Sequence, residues 1–193
     1  MKIGILGGSF DPPHIGHLLV ARQTREVAKL DQVWLMPYFG HNWDTTVTPA
    51  NHRFTMTKLL EEDGIKTSDE EIKREEKSYT IDTVRRLKSK FSSHEFFWIV
   101  GSDVLPEFNR WKNYEKLQKE VSFLVFPRNG HPLPDRLLQG FAAVIAPELV
   151  TSNISSTIVR KRITKSLSVS GMIPQKVLAY IKKNSLYTQT SSI

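Results

Sequence analysis

The chain has 193 residues, no cysteine and a formal net charge of +7, with 39% hydrophobic and 24% charged residues. That balance fits one soluble domain large enough to bury a core, and it excludes disulfides, thiolate metal sites and cysteine nucleophiles. No apolar run approaches the roughly 20 residues of a spanning helix, while the positive charge suits either nucleic acid or small anionic ligands.

In chain order, residues 3–6 form a short apolar run closed by Gly7 and Gly8, a buried strand followed by a tight turn. The run is too short for a secretory signal, and no small-residue cleavage pattern follows it. A helix is expected from Ile15 to about Ala28, then a strand over 33–36 bounded by Pro37. Residues 38–51 carry glycine, proline and polar side chains, the composition of a loop near a site. Helical spacing resumes over 52–62 through Phe54, Met56, Leu59 and Leu60. A short strand is expected at 65–68, and 69–77 is too charged to enter the core.

Ile81, Val84, Leu87 and Phe91 recur at helical spacing, with Thr80 placed to cap the free N–H groups. The aromatic and β-branched stretch 95–100 reads as a strand, as do 122–126 and 142–145. Hydroxyl residues open a helix over 155–163, and Pro174 opens a last one with Val177, Leu178 and Ile181 on one face. Short strands alternating with helices predict an α/β fold, a single Rossmann-like domain with a mainly parallel sheet and helices on both faces. The domain is expected to span 1–187, with 188–193 a polar, disordered tail.

The chemistry concentrates between the first strand and the first helix, in Gly7-Gly8-Ser9-Phe10-Asp11-Pro12-Pro13-His14-Ile15-Gly16-His17. The glycines admit unusual backbone angles and close approach of a ligand, and the free N–H groups of the helix start favour an anion. His14 and His17, three apart, can face one bound group on a helical turn, and Gly16 leaves room between them. The run is neither a dinucleotide-binding glycine fingerprint nor a P-loop, for it lacks the lysine. Its bland counterpart is a glycine-rich turn followed by two surface histidines.

This segment resembles the first signature of the HxGH nucleotidyltransferases, and four others follow in that family's order. Ser78-Tyr79-Thr80-Ile81-Asp82-Thr83 is similar to a segment of the bacterial nicotinate-nucleotide adenylyltransferases. Gly101-Ser102-Asp103, Phe108-Asn109-Arg110-Trp111 and Ile154-Ser155-Ser156-Thr157-Ile158-Val159-Arg160 resemble the family's later motifs. The resemblance covers about residues 2–187.

The resemblance implies transfer of AMP from ATP to nicotinate mononucleotide, giving deamido-NAD and pyrophosphate, with Mg²⁺ carried by ATP and no protein nucleophile or dedicated metal site. His14, His17 and Arg160 would stabilise charge on the phosphates. Gly8, Ser9, Phe10, Gly16, Asp103, Ser155, Ser156 and Thr157 would hold ATP. Tyr79, Thr80 and Trp111 would line the acceptor ring. His41 and Arg128 are further candidates, the first for a family Pro-His-Lys segment whose lysine is missing here, the second at a strand end.

The implied setting is cytoplasmic, with nucleotides as the partners rather than nucleic acid or membrane, and a homo-oligomer left open. Two alternatives stand beside this reading. One is adenylyl transfer to another phosphorylated acceptor, such as nicotinamide mononucleotide. The other is a catalytically degenerate module that only binds nucleotide, which the missing lysine favours and the two histidines disfavour.

Overall fold

Side chains that alternate along β1 (Lys2–Gly8) separate two apolar clusters, Ile3 and Ile5 entering one and Leu6 packing against the other. The alternation recurs in β4 (Glu95–Gly101) and in β5 (Ser122–Phe126). Phe96, Trp98, Val100, Phe123 and Val125 face one side, and Phe97, Ile99, Leu124 and Phe126 the other. Strands covered on both faces carry apolar residues on both, so they read as nearly unbroken hydrophobic runs.

These strands belong to a computed structural model that describes residues 1–40 and 48–188. With β2 (Gln32–Pro37), β3 (Ile65–Thr67) and β6 (Phe141–Ala143) they form one six-stranded sheet in the order β3-β2-β1-β4-β5-β6. Every neighbouring pair is parallel. The fold is a single α/β domain. One face is covered by α1 (Ile15–Val27), α2 (Ala50–Lys58), α5 (Ser156–Thr164) and α6 (Gln175–Lys183), through Leu18, Met56, Val159 and Val177. The opposite face is covered by α3 (Thr80–Lys90) and α4 (Tyr114–Glu120), through Ile81, Val84, Leu87 and Leu117.

The chain runs from β1 outward to β3, then returns to start its second half at β4, beside β1. Where the order reverses, the loops leaving β1 and β4 diverge to opposite faces and open a crevice at the carboxyl ends of the strands. That topology places the site.

Several boundaries differ from expectation. The helix expected over 52–62 begins at Ala50 and ends at Lys58, and its buried residues are Arg53, Met56 and Thr57, with Leu60 buried just beyond its end and Phe54 outside the stripe. Thr80 does not cap α3: it is already helical, Tyr79 takes the extended cap position, and no side chain bonds there. The last strand closes at Ala143, leaving Ile145 exposed.

The charged stretch 69–77 does contribute a buried group. Glu71 is 6% exposed and accepts a 2.7 Å bond from the Thr83 hydroxyl. Burial pushes its carboxyl up from the usual range despite that bond. A 3₁₀ segment, Ser102–Arg110, and α4 were not expected at all. The first contains Pro106, and α4 is only seven residues long, too short for a helical period to stand out.

Candidate active site

A cleft of about 640 Å³ opens where the strand order reverses. Gly7 and Gly8 from the end of β1 line it, with Gly16 and His17 from α1. Ile99, Val100 and Gly101 line it from β4, followed by Asp103 and Arg128. Tyr79, Thr80, Trp111 and Lys112 contribute from the opposite face. The glycine-rich turn and the Ser78–Thr80 segment, 70 residues apart in sequence, thus share one cavity.

The two histidines are not equivalent. His14 is the extended residue that precedes α1, so it does not stand on the helical turn with His17. It is 4% exposed and stacks against His17, the ring centroids 3.8 Å apart. Only His17 lines the cleft. The His14 main-chain N–H donates to Nδ1 of His17 at 3.1 Å. An accepting Nδ1 on a neutral ring leaves the proton on Nε2. His17 is therefore held as a donor.

Burial keeps both rings neutral. It lowers His14 to about 4, with help from the nearby positive charge of Arg128. For His17 burial again comes first, then the His14 ring and Arg128, and the shift is well below the usual range. The Nδ1 of His14 is buried without a hydrogen-bond partner among the described residues. A triphosphate brought beside these rings would supply the missing acceptors and the opposing charge.

The glycine at position 16 has a different first job from the one expected. A Cβ there would lie 2.9 Å from Nδ1 of His14 and 3.4 Å from the Ile154 carbonyl. Its absence lets the His14 ring and the segment before α5 close on the helix start, besides leaving Gly16 on the cleft wall. At Gly101 a Cβ would sit 2.1 Å from Oδ1 of Asp103 and 2.8 Å from Cγ of Arg128, so both side chains would have to move.

Arg160 and the hydroxyl residues reach the same loop from behind the cleft. Ser155 caps α5 by accepting from the Ile158 N–H. The Ser156 hydroxyl donates to the Pro12 carbonyl at 2.8 Å, and Arg160 donates to the Asp11 carbonyl at 2.6 Å. The Arg160 guanidinium also lies within 3.5 Å of Thr157 Oγ1. None of Ser155, Ser156, Thr157 and Arg160 is on the wall of the 640 Å³ cavity.

Phe10 is wholly buried beneath the His17 ring, 4.6 Å between centroids, and its φ of 51° is in the left-handed region. An aromatic residue rarely adopts that angle, and such strain gathers where backbone groups are presented to ligands. The Ser9 carbonyl is already taken by Arg53.

Trp111 is half-buried, with Phe108 5.4 Å away across its ring and the cleft beside it. Arg128 is anchored by its own N–H to Ser102 Oγ at 2.8 Å, and its guanidinium lies 3.8 Å from Asp103. His41 falls outside the described residues. Among the described residues no group of three or more His, Cys, Asp or Glu side chains is arranged to hold a metal, and no helix is long and apolar enough to cross a membrane.

The cytidylyltransferase-like family profile matches residues 5–162. A probable nicotinate-nucleotide adenylyltransferase of Exiguobacterium sibiricum is 38% identical over 97% of this chain and 99% of its own length. One from Thermus thermophilus is 37% identical over 97% of this chain and the whole of its own. The chain belongs to the nicotinate-nucleotide adenylyltransferase family. Among solved structures, Plasmodium falciparum nicotinic acid mononucleotide adenylyltransferase complexed with NaAD superposes with a TM-score of 0.83, at 26% identity over 96% of this chain and 97% of that one.

Within this family framework, three residues with roles in the site were not legible in the sequence. Asp11, inside the first motif, is 1% exposed, accepts the Tyr187 hydroxyl at 2.5 Å and accepts the Thr48 N–H at 3.2 Å. Arg53, wholly buried, donates to the carbonyls of Ser9, Thr48 and Phe39. Lys112 follows Trp111 into the cleft. The one available signal was a charged residue, Arg53, at helical spacing with Met56 and Leu60.

Proposed function

We propose that this chain transfers the adenylyl group of ATP to nicotinate mononucleotide, releasing pyrophosphate and forming deamido-NAD. The observation that carries the reading is the single cleft lined both by the Gly7–His17 turn and by Tyr79, Thr80 and Trp111. A donor and an acceptor nucleotide can meet there. The family relatives and the Plasmodium falciparum enzyme complexed with NaAD support the choice of acceptor.

In this reading an oxygen of the acceptor's 5′-phosphate forms a bond to the α-phosphorus of ATP. The bond from that phosphorus to the oxygen bridging to the β-phosphate breaks, and pyrophosphate leaves. Mg²⁺ would arrive with the triphosphate, offset part of its charge, and leave with the pyrophosphate. Both reactants are anions, so the protein's task is placement and offsetting of charge. The Nε2–H of His17 donates to the phosphates, His14 sets that tautomer, and Arg128 and Arg160 supply positive charge on either side. The ring of Trp111 and the start of α3 at Thr80 receive the acceptor, and Asp103 meets ribose hydroxyls. No covalent intermediate is required, and on this reading the reaction runs in the cytoplasm with its nucleotide substrates.

The test is pyrophosphate release by the pure protein with Mg·ATP and a panel of mononucleotides. Nicotinate mononucleotide is expected to turn over fastest. Release with none of them would end the enzymatic reading, and a faster reaction with another phosphorylated acceptor would replace the substrate.

A further inference from the structure

The wall of the cleft that carries Trp111 holds a charge pair with no assigned role. Lys112 Nζ donates to Asp82 Oδ2 at 2.9 Å and lies 4.3 Å from the centre of the Tyr79 ring. Asp82 stands in the first turn of α3, two residues after Thr80. Tyr79, Thr80, Trp111 and Lys112 all line the cleft, as does Ser78, 5% exposed. The start of α3 also carries partial positive charge, which suits an anion.

The carboxylate of Asp82 works against that preference. Unpaired, it would set a negative charge beside the groups that receive the acceptor ring. Lys112 cancels it, and the Tyr79 face helps to hold the ammonium there. Resting on the adenylyltransferase reading above, we propose that the Lys112–Asp82 pair is a specificity device: it keeps this end of the cleft from repelling a pyridine ring that bears a carboxylate. A ring bearing a neutral carboxamide would be almost indifferent to the pair. Both side chains are partly exposed, 44% and 38%, so solvent screens the effect and a modest factor is expected, about three- to tenfold.

The experiment compares kcat/KM for nicotinate mononucleotide and for nicotinamide mononucleotide in the wild type, Lys112→Met, Asp82→Asn and the double variant. The acid-to-amide ratio is expected to fall about three- to tenfold in Lys112→Met. It is expected to hold or rise in Asp82→Asn, and to return toward wild type in the double variant, because the uncompensated charge is then gone. An unchanged ratio in Lys112→Met would overturn the proposal. So would a double variant no closer to wild type than Lys112→Met. Loss of turnover with both substrates in equal proportion would make Lys112 a packing residue only. Failure of the wild type to use either nucleotide would instead strike the functional reading itself, so the two failures are told apart.

Discussion

Replacing His17 with alanine removes a donor whose proton position is fixed by a main-chain bond. The expected loss in kcat is about 10²- to 10³-fold, the scale seen when one preorganised donor to developing charge is deleted. Circular dichroism and Tm should stay near those of the wild type, since α1 keeps its other packing residues. Near-normal turnover would show that the phosphates lie elsewhere. His14 makes a different prediction. Its ring is held at about 4 by burial and by Arg128, against about 6.5 in the unfolded chain. As pH falls below about 6.5 the unfolded chain takes up this proton first, so the stability contribution is complete above that pH and declines toward pH 4. Between pH 7 and pH 5 the loss from this residue is about 2 kcal/mol. Urea unfolding of His14→Gln should show a correspondingly smaller drop over the same interval, and an equal drop would contradict the burial argument. At Trp111, substitution by alanine should raise the acceptor KM about tenfold with a smaller change in kcat. An unchanged KM would leave the ring a core residue on Phe108 alone.

At the scale of elements, the donor loop is held by parts of the chain that arrive last. α5 grips it through Ser156 and Arg160, and the segment after α6 grips it through Tyr187. Burial and the neighbouring Asp11 carboxylate raise the Tyr187 hydroxyl well above its ordinary range, so it remains a donor throughout the working pH. Tyr187→Phe leaves the buried Asp11 carboxylate short of one donor. The expected cost is about 1–2 kcal/mol in urea unfolding, together with a raised KM for ATP and an acceptor KM near that of the wild type. A loss of stability with both constants unchanged would reduce the bond to simple scaffolding. The elements themselves were largely readable. Four of the six strands announce themselves as apolar runs because helices cover both faces, and α3 and α6 show one-sided apolar spacing. β6, with two alanines in three residues, begins one residue before the expected strand and ends two residues before it. The ties on Asp11 were not readable, since they join residues up to 176 positions apart. Neither was Arg53, whose buried place depends on carbonyls from three separate segments.

For the whole molecule, the sheet order decides where chemistry can occur. Reversal between β1 and β4 opens a single crevice, and the sequence had already supplied each of its walls with a recognisable motif. What the sequence left open was how those motifs divide the work. It grouped His14, His17 and Arg160 as equals, whereas folding places His17 on the wall, His14 behind it and Arg160 beneath the loop. Linear spacing could not reveal this, because His14 precedes the helix and Arg160 arrives through tertiary packing. The most direct measurement is a crystal structure with a non-hydrolysable ATP analogue and nicotinate mononucleotide. The triphosphate is expected between the Gly7–His17 turn and the start of α5, with His17 Nε2 and the Arg160 guanidinium on its oxygens and the pyridine ring beside Trp111. A triphosphate seated away from that turn, or an Arg160 still directed only at Asp11 and Thr157, would contradict it.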